Sequence, residues 1–213
     1  MPLASLEASF AIDEHLVAGD GQAKGRLWLH GPSLVPGMRD MRLPHAQEAV
    51  ARFQARGYEV HLRSSGGRLV VLDEGVLNVA IAYAGADLPQ IEPGFHLMAD
   101  LIGQSLGSMG LQPLVGEVRG SICAGRYDLS LDGRKVAGLS QRRRRNFALI
   151  HAFLLVEGTG QSREELAADF YAAAGATSEE SVRPGTMAAL AEFHGDITVA
   201  RASERLRAAL DVL

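Results

Sequence analysis

The chain has 213 residues, 47% of them hydrophobic and 22% charged, which suits one large or two small domains whose core needs no disulfide or metal staple. A formal net charge of -4 argues against bulk attraction to nucleic acid or membrane, and no apolar run reaches the roughly 18 residues that a helical span requires. The single cysteine, Cys123, excludes an intramolecular disulfide and a multi-cysteine metal site; with an acidic start that lacks a basic leader, it predicts a soluble cytoplasmic protein.

Leu6, Phe10 and Val17 recur at roughly helical spacing, and Gly19 can stop a helix there. A short strand is expected over 26–30, a proline-containing loop after it, and a helix over 45–56 with Ala49, Val50 and Phe53 inward and Gly57 as its stop. YEVHLR, RLVVLD and LNVAIAY read as strands separated by turn residues. A helix follows over 93–109, with Phe95, Met98, Leu101, Ile102 and Leu106 on one side, then strands over 114–122 and 126–140. The apolar run 147–156 reads as a central strand. Beyond Gly158 the composition turns to Ala, Glu and Arg. Ser162 with Glu165 forms a capping box for a helix over 163–174, Pro184 opens a helix that Gly195 closes, and 198–212 forms the last. The pattern predicts an α+β fold with a central sheet of about seven strands, a core over 1–158 and a helical segment over 159–213 packed on it.

The run GSICAGRYDLSLDGRKVAGLSQRR concentrates the chemistry. Asp132-Gly133 is a two-residue hairpin turn, since both residues tolerate the positive φ that a type I′ turn requires. This register opposes Leu131 to Arg134, Ser130 to Lys135, Leu129 to Val136 and Asp128 to Ala137. Tyr127, Leu129, Leu131 and Val136 then share an apolar face, and Arg126, Asp128, Ser130 and Lys135 a polar one, with Lys135 and Asp128 diagonal neighbours. Alone, such a hairpin reads as a solvated face with a surface ion pair. Cys123, five residues before Asp128 and flanked by Gly120 and Gly125, favours a nucleophile, because a nearby ammonium favours thiolate and can polarise a carbonyl under attack. His151, the nearest histidine in sequence, lies in the apolar run and reads as a core histidine with one hydrogen bond, so the thiol has no evident base. No His or Asp spacing suggests a metal.

Arg63-Ser64-Ser65-Gly66-Gly67-Arg68 joins two expected strands; it reads either as a hairpin turn or as amides and arginines arranged around an anion or carbonyl. Asn78 inside LNVAIAY needs buried partners, so it pins a loop or binds a ligand. Arg142, Arg143, Arg144 and Arg145 alternate faces if extended, and read either as a solvated edge or as a patch that docks an acidic protein.

Together, RSSGGRLVVLDEGVLNVAI, the Cys123–Lys135 segment, RLPHAQEAVARFQARGYEVHLR and SVRPGTMAALAEFHGDITV resemble the biotin/lipoate protein ligase and transferase superfamily, specifically its octanoyltransferase branch, over roughly residues 8–211. The resemblance implies a mixed central sheet flanked by helices. It implies that Cys123 carries an acyl thioester, that Lys135 contacts the acyl carbonyl, and that Arg63, Gly66, Gly67, Asn78 and Asp128 belong to the substrate-binding segments. It implies octanoyl or lipoyl transfer from a lysine of the glycine cleavage H protein to lysines of lipoyl domains of 2-oxoacid dehydrogenase E2 subunits. No cofactor or metal is expected beyond the covalent acyl group on Cys123, and neither nucleic acid nor membrane is a partner. The alternative within the superfamily is an ATP-dependent lipoate or octanoate ligase that forms an acyl-adenylate. Arg68 and Leu72 stand where ligase-type relatives carry a third glycine and a histidine, which argues against it. Ala124 replaces a proline common in the branch.

Overall fold

The computed structural model describes residues 5–9, 23–63, 67–85, 88–177 and 181–212. Leu6 and Ser9 lie in a helical turn, while Phe10, Val17 and Gly19 of the expected first helix fall outside the described residues, as does Gly66. Among the described residues nine strands form two sheets rather than one of about seven. A six-stranded sheet has the order β1 (Lys24–Trp28), β5 (Val76–Ala84), β9 (Phe147–Leu155), β8 (Arg134–Arg144), β7 (Leu129–Leu131), β6 (Leu114–Val115). Every pairing in it is antiparallel. A second sheet has the order β3 (Glu59–Val60), β2 (Ser33–Val35), β4 (Val70–Leu72), with β2 parallel to β3 and antiparallel to β4, so mixed pairing is confined to it. The expected α+β architecture of sheet and flanking helices is present.

Alternation along the long strands explains the layers. Leu77, Val79, Ile81, Ala152 and Leu154 face one way and pack with Met98, Leu101, Ile102 and Leu106 of α2 (Ile91–Gly107) and Ala202 and Leu206 of α4 (Val199–Leu210). A second core joins Leu34, Val70 and Leu72 to Phe53 of α1 (Ala46–Ala55) and Phe170 and Tyr171 of α3 (Gly160–Ala173). Between the two sheets the opposite face of the large sheet carries Trp28, Asn78, Phe153 and Gly138 in one lateral row and Arg26, Ala80, His151 and Ser140 in the next. This face bears the site.

Three expectations fail for identifiable reasons. α3 starts at Gly160, not 163: Thr159 is the cap, its hydroxyl oxygen accepting from the Ser162 amide at 3.1 Å. A Cβ on Gly160 would lie 2.0 Å from the Met187 carbonyl oxygen, so only glycine lets the helix begin there. No helix spans 184–195. The Glu164 carboxylate instead accepts from the amides of Gly185, Thr186 and Met187 at 2.7–2.8 Å, and the segment runs extended beside Lys135, leaving only a 3-10 turn at Leu190–Glu192. The strand expected over 114–122 stops at Val115; Gly120 with φ +87° and a Ser121 amide bonded to the Val118 carbonyl turn the chain. Among the described residues no helix is long and apolar enough to cross a membrane.

Candidate active site

Cys123 sits in the loop between β6 and β7 with φ +49°, a left-handed conformation that is strained for a residue bearing a Cβ. Lys135 holds it there. Its ammonium donates to the carbonyl oxygens of Ile122 and Cys123, both at 2.9 Å, and to Asp128 Oδ2 at 2.8 Å. Asp128 Oδ2 also accepts from the Gly125 amide at 2.8 Å, which closes the loop between nucleophile and hairpin. The expected Lys135–Asp128 pair therefore forms, but the solvated face does not: the two side chains are 0% and 1% exposed. Segment 185–188 covers them, with the Lys135 amide donating to the Thr186 carbonyl and the Ala188 amide to the Lys135 carbonyl. Burial raises the Asp128 carboxyl above the usual carboxylate range, and Lys135 offsets only part of that rise.

The hairpin register holds at the turn, with Ser130 opposite Lys135 and Leu131 opposite Arg134. A bulge at Val136 then pairs Leu129 with Ala137, not with Val136. The Lys135 ammonium has three N–H donors, and all three are engaged. A contact with an acyl carbonyl, as the resemblance implied, would require it to surrender one.

The sulfur's neighbours come from the glycine segment. Arg63 Nη2 and the Arg68 amide each donate to Cys123 Sγ at 3.1 Å, and Arg63 Nη2 also donates to the Arg68 carbonyl. Two N–H donors, one on a permanent cation, solvate negative charge on sulfur in place of water. Gly67 has φ +107°, and a Cβ there would stand 2.3 Å from Arg63 Nη2 and 2.8 Å from Sγ, so glycine is what lets this loop reach the thiol.

A buried network that sequence reading missed fixes the loop. Asp40, fully buried, accepts from Arg68 Nε and the Tyr171 hydroxyl, both at 3.2 Å, and from the Gly37 amide at 2.8 Å; the Arg68 guanidinium lies 4.7 Å from the Tyr171 ring centre. Burial, reinforced by Asp40, raises the Tyr171 hydroxyl, so it remains a proton donor. Aspartate, tyrosine and arginine here lie 28 to 131 residues apart in sequence, and no local motif announces them.

Behind Sγ lies a narrow cavity lined by Trp28, Asn78, Leu139, His151 and Phe153 on one side and Val35, Arg63, Val70 and Leu72 on the other. Gly138 keeps it open: a Cβ there would lie 2.5 Å from the Phe153 ring. Three polar atoms in its wall, Arg63 Nε, Asn78 Oδ1 and His151 Nε2, are buried without a hydrogen-bond partner. Asn78 Nδ2 reaches the Trp28 and Val76 carbonyls only at 3.5 Å, and the residue lines the cavity. His151 stacks on Trp28 at 5.2 Å between ring centres, whose indole N–H donates to His30 Nε2 at 2.8 Å. Burial first, then the electrostatic influence of Arg63, His30 and Arg26, lowers His151 to about 3, which makes it a neutral cavity wall and not a base for the thiol. Its Nε2 lacks the single hydrogen bond expected of a core histidine.

The arginine run is divided by the strand. Arg143 donates to the Pro89 carbonyl at 2.6 Å and to Gln141 Oε1 at 3.2 Å, tying β8 to the approach to α2, whereas Arg142 is half-buried and Arg144 and Arg145 are exposed. No cluster of three or more His, Cys, Asp or Glu residues arranged for a metal occurs among the described residues.

The sequence family described as lipoyl protein ligase A/B catalytic domain matches residues 5–211. An octanoyl-GcvH:protein N-octanoyltransferase of Geobacillus kaustophilus is 40% identical over 91% of this chain and 72% of its own length. The protein of the same name from Exiguobacterium sibiricum is 41% identical over 87% of this chain and 70% of its own. Among solved structures, a T. acidophilum protein described as a lipoate protein ligase, with lipoic acid bound, superposes with a TM-score of 0.74 at 21% identity, covering 99% of this chain and 82% of its own. Lipoate-protein ligase A bound with ATP gives 0.71 at 22% identity over 95% and 76%.

Proposed function

Because the chain belongs to the lipoyl protein ligase A/B catalytic domain family, we propose that it is a protein N-octanoyltransferase working through a thioester on Cys123. The observation that carries this reading is the placement of Sγ at the mouth of a largely apolar cavity, held by two N–H donors with no acid–base partner among the described residues. A ligase that activates an acid with ATP has no use for such a sulfur.

In the reaction, the Cys123 sulfur attacks the carbonyl carbon of an octanoyl-lysine amide on a glycine cleavage H protein. A carbon–sulfur bond forms, and the carbon–nitrogen bond breaks as the thiol's proton leaves with the lysine amine. The octanoyl tail occupies the cavity between Phe153 and Leu72, bounded by Asn78 and Arg63. A lysine of an E2 lipoyl domain then attacks the thioester and returns the thiol. One amide replaces another, so no ATP is needed. Lys135 and Asp128 act by fixing the Cys123 loop. Arg144 and Arg145 offer charge to an acidic carrier domain. The single thiol and the protein carriers suit a cytoplasmic enzyme.

Intact mass after mixing with octanoylated H protein tests this. One octanoyl adduct is expected, cleaved by hydroxylamine and absent in Cys123→Ala. If Cys123→Ala transfers octanoyl as fast as the wild type, the proposal fails. Acylation of a lipoyl domain that requires ATP and free octanoate would replace it with the ligase reading.

A further inference from the structure

Attack on an amide places negative charge on the carbonyl oxygen, and the site must offer it hydrogen-bond donors. Lys135 does not have one to spare, because its three donors are committed to Ile122, Cys123 and Asp128. Nor does His151, held neutral against Trp28, bring a charge. We propose that Arg63, with the Arg68 amide, is the oxyanion-binding residue of the transfer reaction. This rests on the thioester reading above.

Two independent observations converge on Arg63. Its Nη2 lies on the reacting sulfur at 3.1 Å, and its Nε, buried and lining the same cavity, has no partner. Nε and one amino group of a guanidinium project from one planar edge as a fork, and such a fork takes two acceptors bonded to one atom, as it does the two oxygens of a carboxylate. In the tetrahedral adduct the sulfur and the oxyanion are bonded to one carbon. As the sulfur shares its electrons with that carbon it becomes a weak acceptor, and the donors that rested on it, Nη2 and the Arg68 amide, are released to the oxygen beside it. The free Nε completes the set. Neither donor needs large movement, since Gly67 brings the loop against the guanidinium and Asp40 anchors Arg68 from behind. No net proton or electron is exchanged with Arg63 in either half-reaction; it holds charge as the carbon–sulfur bond forms and releases it as the carbon–nitrogen bond breaks.

The test is single-turnover acylation by octanoylated H protein, read by intact mass, in the wild type, Arg63→Ala and Arg63→Lys. Both variants are expected to lose about 10²–10³-fold in the rate of adduct formation at saturating donor, with the donor concentration for half-maximal rate changed by less than threefold. Lysine keeps the charge and stem but lacks the fork, so Arg63→Lys decides the question should Arg63→Ala not fold. Methylguanidinium in solution is expected to restore part of the Arg63→Ala rate and none of the Arg63→Lys rate. An Arg63→Lys rate within threefold of the wild type overturns the proposal, as does a loss confined to donor affinity, which would make Arg63 a binding residue only. A wild type that forms no Cys123 adduct, by contrast, defeats the thioester reading itself.

Discussion

Replacing Lys135 with methionine is the perturbation that best separates what this residue holds from what it catalyses. Methionine fills much of the space of the lysine stem but removes three donors. It leaves the Asp128 carboxylate, 1% exposed, with only the Gly125 amide, and it strips the Ile122 and Cys123 carbonyls of their shared partner. Removing one member of a buried pair costs about 3–5 kcal/mol, because the survivor stays buried without its counter-charge. For a chain of this size each kcal/mol lowers the melting temperature by about 2–4 °C, so a drop of roughly 6–20 °C is expected. Lys135→Met/Asp128→Leu removes the stranded charge and should recover at least half of the lost stability, with a coupling energy of about 2 kcal/mol or more in the double-mutant cycle. Both variants should still acylate at least 100-fold more slowly than the wild type, since neither holds Cys123 in its left-handed conformation. Urea titration and melting of the four proteins, with acylation followed by mass, make the measurement. A Lys135→Met protein destabilised by less than 1 kcal/mol, or a double variant no more stable than the single one, would show that Lys135 does not hold this loop.

Two further outcomes follow from the cavity. His151 has a folded value near 3 against 6.5 in the unfolded chain, so its stabilising contribution is complete above pH 6.5 and is lost as the pH falls toward 3. Between pH 6.5 and 4.5 the wild type should lose about 2 kcal/mol more stability than His151→Gln; parallel stability curves would contradict the assignment. Gly138→Ala places a Cβ 2.5 Å from Phe153 and 3.0 Å from Lys135 Cε, which should cost about 1–3 kcal/mol and push the ring into the cavity. Hexanoyl transfer should then gain on octanoyl transfer in a competition assay, and an unchanged chain-length preference would show that Phe153 does not bound the acyl tail.

What was legible in the sequence depended on how local its cause was. Asp132-Gly133 is sufficient for its own turn, so the Ser130–Lys135 pairing could be read from four residues; the bulge at Val136 could not, because it accommodates the packing of β8 against β9. The lysine–aspartate pair was visible as a pair but not as a buried one, since the cover comes from segment 185–188, fifty residues on. That segment also defeated the helix read from Pro184: its amides are drawn off by Glu164, and a carboxylate on a preceding helix leaves no periodic trace. A search for the thiol's partner along the sequence looks for a histidine and finds His151, whose ring is neutral and stacked on Trp28. The groups that do touch the sulfur belong to an arginine sixty residues earlier and to a backbone amide that has no side-chain signature. Of these two donors, only the first is accessible to direct side-chain substitution. Changing Asp40 to asparagine reaches the second indirectly: it keeps the size of the anchor but weakens its hold on Arg68, and should slow acylation by about tenfold while leaving iodoacetamide access to Cys123 intact. Loss of folding instead would assign Asp40 to the core and not to the site.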